Sequence, residues 1–179
     1  MCKLVVEAPV VAAAAKAGQF VVVKIDEKGE RIPLTINDSD PEKGTITIIL
    51  QAVGKTTKQL CAVEKGEAIM DLLGPLGKPT DFGKAGKVIL VGGGVGIAEI
   101  LPIAKYAKAN GNFVLTIIGT RTKEFIILED ELRKHSDKLI ITTDDGSYGE
   151  ISLVTGQLSE ALENDRFDLC YAVGPDIMR

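Results

Sequence analysis

Four glycines interrupt an apolar run in Val88-Ile89-Leu90-Val91-Gly92-Gly93-Gly94-Val95-Gly96-Ile97-Ala98. A buried strand that passes through glycines into a helix lets the backbone come close to a pyrophosphate. The first turn of that helix offers N–H groups with no helical partner. Gly93, Gly94, Val95 and Gly96 are therefore candidates to receive a dinucleotide, and a Cβ at Gly94 or Gly96 is expected to collide with it. The same residues also suit a tight strand-to-helix turn, although a turn alone rarely needs four glycines. The run is not the G-x-G-x-x-G fingerprint, because Ile97 stands where the last glycine would fall. No acidic residue ends the second strand, which closes on Gly119-Thr120-Arg121-Thr122-Lys123. Arg121 suits a 2′-phosphate, and equally a solvated basic loop.

Two further stretches offer anion chemistry. Arg31-Ile32-Pro33-Leu34-Thr35-Ile36 puts an arginine ahead of an extended segment, and arginine presents a fork that fits phosphate. Gly54-Lys55-Thr56-Thr57 precedes a short helical stretch and provides a second anion site at a helix start. Each has an ordinary reading as well, Arg31 as a surface residue and Thr56 or Thr57 as an N-cap. Asp144-Asp145-Gly146 and Gly174-Pro175-Asp176-Ile177-Met178 follow strands, where open α/β sheets bind ligands. The adjacent aspartates lack a third ligand, so hydrogen bonding to loop backbone and ligand hydroxyls is their expected role. No catalytic side chain and no metal ligand set is expected. His135 is the single histidine, in a polar stretch expected at the surface.

Elements must hold these residues in place. In the first part, Leu4–Glu7, Gln19–Ile25 and Thr45–Leu50 are rich in β-branched residues and are divided by turn signals, including Asp38-Ser39-Asp40-Pro41. Strands at that spacing predict a small antiparallel barrel, with one short helix near Thr57. In the second part, Lys87–Val91, Phe113–Ile118, Leu139–Thr143 and Asp168–Val173 read as buried strands. Helical stretches alternate with them: one to Ala109, Leu128–His135 and Ser152–Glu163. This alternation predicts a doubly wound parallel sheet. The boundary is expected in the Gly/Pro-rich stretch 74–86, giving domains at 1–82 and 83–179.

Composition narrows the function classes. The chain has 179 residues, 45% hydrophobic and 26% charged, with a formal net charge of −4. That balance argues against nucleic acid, which asks for a basic patch. No apolar run reaches the roughly 18 residues of a membrane span. No signal peptide opens the chain, so a cytoplasmic location is expected. Cys2, Cys61 and Cys170 form no C-x-x-C pair, and an odd, sparse set predicts three reduced thiols.

Taken in order, these motifs resemble the ferredoxin–NADP reductase superfamily. The resemblance runs from Ala8-Pro9 and Gly18-Gln19-Phe20 to Gly174-Pro175, and includes "GERIPLTI" at Gly29–Ile36. It is nearest to electron-transfer subunits of the NADH-dependent ferredoxin–NADP oxidoreductase or sulfide dehydrogenase β type, and of dihydroorotate dehydrogenase. The resemblance implies FAD on the barrel and NAD(P)H on the α/β domain. Arg31 would hold FAD phosphates, Pro33, Leu34, Thr35 and Ile36 would line the isoalloxazine, and Gly54, Lys55, Thr56 and Thr57 would bind the pyrophosphate. Thr120 and Arg121 would lie near the adenosine half of NAD(P)H. Asp145, Gly146, Gly174, Pro175 and Met178 would close around the nicotinamide. It further implies a catalytic flavoprotein partner subunit, with ferredoxin or another iron–sulfur acceptor. Against the family pattern, the first barrel strand is expected to be missing. The cysteine-rich module that holds a 2Fe-2S cluster lies beyond the chain, in the full-length parent only. A self-contained FAD reductase and a non-enzymatic dinucleotide sensor remain alternatives.

Overall fold

In the computed structural model, which describes residues 1–175, the chain divides into two compact units, Met1–Thr80 and one that begins at Asp81. The first carries β1 (Cys2–Glu7), α1 (Pro9–Ala14), β2 (Phe20–Lys24), β3 (Arg31–Thr35), β4 (Asp38–Asp40), β5 (Thr45–Leu50), α2 (Lys55–Cys61) and β6 (Asp71–Leu76). Two three-stranded sheets form, ordered β1-β5-β4 and β3-β2-β6, and every pairing is antiparallel. Their inward residues share one core: Val21 and Val23 of β2, Ile46, Ile48 and Leu50 of β5, with Val11, Ile36 and Leu60. The chain crosses from one sheet to the other in two successive residues. The Ile36 N–H donates to the Gln19 carbonyl at 3.0 Å and the Asn37 N–H to the Thr47 carbonyl at 2.9 Å.

Three elements here were not expected. Pro9 sits at the start of α1, where its missing N–H costs nothing. Asp38-Ser39-Asp40, expected as a turn, forms β4 because Thr45–Thr47 of β5 offers it a ladder. β6 contains Pro75 inside the stretch expected to be linker. Proline is tolerated on an edge strand, and among the described residues β6 pairs only with β2.

The expectation of three reduced thiols is wrong. Cys2 and Cys61 form a disulfide, with Cα atoms 5.7 Å apart. They lie 59 positions apart in sequence, and only the packing of α2 against β1 brings them together. Cys170 is the free cysteine.

The second unit holds β7 (Lys87–Gly93), α3 (Gly96–Ala109), β8 (Phe113–Thr120), α4 (Glu129–Lys134), β9 (Lys138–Thr143), β10 (Glu150–Ile151), α5 (Val154–Asn164) and β11 (Leu169–Val173). The strands form one parallel sheet ordered β10-β9-β8-β7-β11. Val88–Gly93 is buried throughout, as a central strand covered on both faces must be. α5 packs over Ile89, Val91, Leu115 and Ile117 through Val154 and Leu158. α3 packs against β7, β8 and β11 with Ile97, Ile100, Leu101, Ile103, Ala104 and Ala107 buried.

Asn112, 2% exposed, ties the entry to β7. Its carbonyl oxygen accepts from the Ala85 and Gly86 N–H groups at 2.7 and 2.9 Å, and its amide donates to Gly83 and Ala107. Among the described residues no helix is long and apolar enough to cross a membrane.

Candidate functional site

In the α/β unit the sheet leaves β7 in one direction through β8 and β9, then returns through α5 to place β11 on the other side of β7. That reversal creates a crevice at the carboxyl ends of β7 and β11, the usual ligand position in open α/β sheets. The glycine run lies there, between β7 and α3.

The structure separates three of the four glycines by purpose. A Cβ on Gly96 would run into the backbone carbonyl of Val173 on β11, and one on Gly92 would press the Ile97 Cα at 3.0 Å. Both are required by packing of α3 against the sheet. The expectation that a side chain at Gly96 would meet a ligand first is therefore corrected, because the protein's own backbone is the nearer obstacle. Gly94 differs. Its φ is +55° and a Cβ there would meet nothing within 4 Å among the described residues, so its glycine answers to backbone conformation. Its N–H donates to the Gly119 carbonyl at 3.0 Å. At Val95 and Gly96, the cap and first residue of α3, helix geometry supplies no partner for the N–H.

The neighbouring loops are tied to each other. Asp144 and Asp145 N–H groups donate to the Thr120 and Arg121 carbonyls at 3.1 and 3.2 Å. The Lys123 N–H donates to Ser147 Oγ at 2.8 Å, and Lys123 Nζ lies 4.9 Å from the centre of the Tyr148 ring. The Asp145 carboxylate accepts from the Ser147 hydroxyl at 2.6 Å and the Ser147 N–H at 3.0 Å, which holds its pKa below the usual carboxylate value. Its visible task is to shape its own loop. Gly146 beside it has φ +71°. Thr120 is buried and donates to the Thr122 carbonyl at 2.7 Å. Arg121 is exposed and has no ion-pair partner among the described residues. The Tyr148 hydroxyl donates to Glu129 at 3.0 Å, which raises its pKa; nothing in sequence marked that pair. Gly174 and Pro175 follow β11 directly. Met178 lies outside the described residues.

In the first unit, β3 alternates. Arg31, Pro33 and Thr35 share the outer face, while Leu34 packs on the core and Ile36, 3% exposed, belongs to it. Ile36 can thus meet a ligand only through its backbone. Across the outer face, Pro33 pairs with Val22 and Val22 with Leu73 of β6, which is 56% exposed. The result is an apolar shelf. Arg31 at its edge pairs with Asp71 at 2.5 Å, a contact with no sequence signal, since Lys24 stands between them in the ladder.

The α2 loop is held by its own threonines. Thr57 Oγ1 accepts from the Val53 and Gly54 N–H groups at 3.1 and 2.9 Å. Buried Thr56 donates to Glu30 at 2.6 Å, and Lys55 is exposed. Lys55, Thr56 and Gln59 border an open cavity of about 660 Å³ whose other wall is Asp26–Glu30. Helix geometry leaves the N–H groups of Lys55 and Thr56 without helical partners. Among the described residues no group of three His, Cys, Asp or Glu side chains is placed to hold a metal ion.

Comparison with known proteins supplies the relationship. No family model matches the chain. A Shouchella clausii protein described as the electron transfer subunit of dihydroorotate dehydrogenase B (NAD(+)) is 35% identical over 98% of this chain and 69% of its own length. The chain belongs to the dihydroorotate dehydrogenase B electron transfer subunit family. A Thermotoga maritima homologue of that subunit is 47% identical over 97% of this chain. A solved structure of NADH-dependent reduced ferredoxin–NADP oxidoreductase superposes with a TM-score of 0.92 at 45% identity over 98% of the chain. The chain spans 61% of the length of the Thermotoga relative and 63% of the solved chain. An Amycolatopsis cytochrome P450 reductase shares the fold, at a TM-score of 0.73 and 22% identity. An antiparallel first unit followed by a parallel α/β unit is thus the ferredoxin-reductase-like fold that the motifs implied.

Proposed function

We propose that this chain is the FAD- and NAD(P)H-binding part of an electron-transfer subunit in a ferredoxin–NADP oxidoreductase-type complex. The observation that carries the reading is the nearly full-length match to NADH-dependent reduced ferredoxin–NADP oxidoreductase, at 45% identity and a TM-score of 0.92. The residues present suit both cofactors. On the first unit, the Pro33–Val22–Leu73 shelf would support a flat ring system, and Arg31 would meet FAD phosphates. Asp71 engages one nitrogen of the guanidinium, and the group has further donors to offer. Thr35 and the backbones of Leu34 and Ile36 would border the ring, while the N–H groups of Lys55, Thr56 and Thr57, in the turn that Gly54 opens, would face the pyrophosphate. On the α/β unit, Gly93, Gly94, Val95 and Gly96 would receive the dinucleotide, with Thr120 and Arg121 toward its adenosine. Asp145, Gly146, Gly174, Pro175 and Met178 would border its nicotinamide end.

FAD bound this way would supply the conversion of a two-electron hydride equivalent into single electrons. The chain's own residues bind, orient and exclude water, and no side chain is required as nucleophile or general base. We place domains at 1–82 for FAD and 83–179 for NAD(P)H, and the location in the cytoplasm. The electrons would go to an iron–sulfur acceptor and a catalytic flavoprotein partner. A 2Fe-2S cluster would have to be held outside these 179 residues, because this chain has three cysteines and two are bonded to each other. They cannot provide the four thiolates such a cluster typically takes.

A second reading, delivery of electrons to a dihydroorotate dehydrogenase, is favoured by the descriptions of several relatives at 34–38% identity. Co-expression with each type of catalytic subunit separates the two by which one co-purifies and receives electrons. The direct test is a visible spectrum of the purified chain with FAD, before and after anaerobic NADH and NADPH. Flavin bleaching supports the reading, and a colourless protein that oxidises neither dinucleotide defeats it. Arg31→Ala should weaken FAD binding by about 1.5–3 kcal/mol, the range for a hydrogen bond to a charged group. Unchanged affinity would remove Arg31 from the site.

A further inference from the structure

Cys2 opens β1 and Cys61 closes α2, and the disulfide between them spans 59 positions of sequence. Both cysteines are half-buried against the edge of the first unit's core, so a small thiol can reach them. The helix that the bond anchors is weak by itself. α2 has seven residues, well short of the roughly 12–15 at which an isolated helix becomes even marginal in water. Only Thr56 and Leu60 are buried in it. Apart from Leu60 packing and the Thr56–Glu30 hydrogen bond, the disulfide is its firmest attachment. One end of this helix carries Cys61 and the other carries the Gly54–Thr57 loop. Cys170, the remaining cysteine, belongs to the other unit, so no third thiol in this unit competes for either sulfur.

We propose that Cys2–Cys61 is a reversible dithiol–disulfide switch that sets how tightly the Gly54–Thr57 loop holds FAD. The proposal rests on the flavin reading above. In the forward step the thiolate of a small reducing dithiol attacks one sulfur, and the Cys2–Cys61 bond breaks. A second attack within the mixed disulfide releases the reductant as its own disulfide. Two electrons and two protons pass to the chain, which ends as two thiols. With the bond open, the C-terminal turn of α2 keeps Leu60 and the half-buried Cys61 side chain against the core but loses its covalent tie to β1. The N–H groups of Lys55 and Thr56 are then presented by a fraying helix, and part of the binding energy goes into ordering it. With the bond closed, the loop is preorganised.

The test compares FAD affinity, by quenching of flavin fluorescence at a temperature where the chain stays folded. Three samples are needed: the chain oxidised, the chain reduced with dithiothreitol, and the Cys2→Ser/Cys61→Ser variant. Thiol titration after denaturation should count one thiol in the oxidised chain and three in the reduced one, from its three cysteines. The reduced chain should bind FAD about tenfold more weakly than the oxidised chain. The double variant should match the reduced chain and ignore dithiothreitol. Equal affinity in the two redox states overturns the switch and leaves the bond a structural staple. Three thiols in a chain treated with oxidised dithiothreitol overturn it too, as does a dithiothreitol effect that persists in the double variant. A chain that binds FAD in neither state overturns the flavin reading, and this inference with it.

Discussion

The two loops suited to phosphate are built in opposite ways. The Gly92–Gly96 turn is held by burial: α3 is 14 residues long, eight of them buried, and Gly92 and Gly96 exist so that backbone can meet backbone. The Gly54–Thr57 turn is held by polar clasps, with Thr57 closing on the Val53 and Gly54 N–H groups, Thr56 reaching Glu30, and a disulfide at the far end of the helix. A packed turn fails abruptly when its volume changes, because dense interiors relax only partly. A clasped turn loses stability in small steps and responds to solvent and redox conditions. The same opportunity for anion binding can therefore be robust in one unit and adjustable in the other.

The sharpest way to break this contrast is Gly96→Val. Its side chain would strike the Val173 carbonyl, and the α/β unit should lose about 3 kcal/mol or more, by denaturant unfolding. A variant of normal stability would mean that β11 yields easily and that the turn is not held by packing. A smaller loss tests the clasped loop. Thr56→Val keeps the shape but removes the hydrogen bond to Glu30, at a cost of about 1.5 kcal/mol, and should leave unfolding of the α/β unit unchanged. Gly94→Ala comes next. Its positive φ makes an alanine strained by about 1 kcal/mol, while the open space around it among the described residues leaves the fold intact. Dinucleotide affinity, measured by titration with NADH, should fall more than stability does. Equal falls would assign Gly94 to the fold alone.

The smallest effect is on pH. Ser147 holds the Asp145 pKa below its ordinary value, so this carboxylate favours the folded loop while ionised. Its contribution is present above the unfolded pKa of about 4 and is lost as pH falls through the lower folded value. Thermal melts below about pH 4 should therefore decline more steeply for the native chain than for Asp145→Asn. Parallel declines would show that Ser147 does not hold the loop.

The α/β unit was far more legible in sequence than the first. Phe113–Ile118 and Leu139–Thr143 read as strands because short, mostly apolar runs rich in β-branched residues favour strands, and the stop at Asn110-Gly111 marks the end of α3. In the first unit Thr45–Leu50 was equally clear, being β-branched and alternating. β4 was not, since Asp38-Ser39-Asp40 favours turns and becomes a strand only against β5. β6 hid behind Pro75, and α1 lies in a stretch too short for a periodicity. Of the candidate site, the residue types were legible and their assignments were not. Whether Ile36 faces outward, whether Arg31 is already paired, and which glycine serves packing all depend on neighbours distant in the chain.

Residue order by itself determined the switch from alternating to continuous apolar segments, and with it two units of different architecture. It also determined the glycine run between strand and helix, because local backbone freedom and helix-end N–H groups are properties of short stretches. Tertiary structure alone decided the rest. It put the Val173 carbonyl against Gly96, joined Arg31 to Asp71 across a strand, and closed Cys2 onto Cys61 over 59 positions. Each of these is a contact between segments remote in sequence. Its existence depends on how sheets and helices pack, which no local pattern of residues encodes.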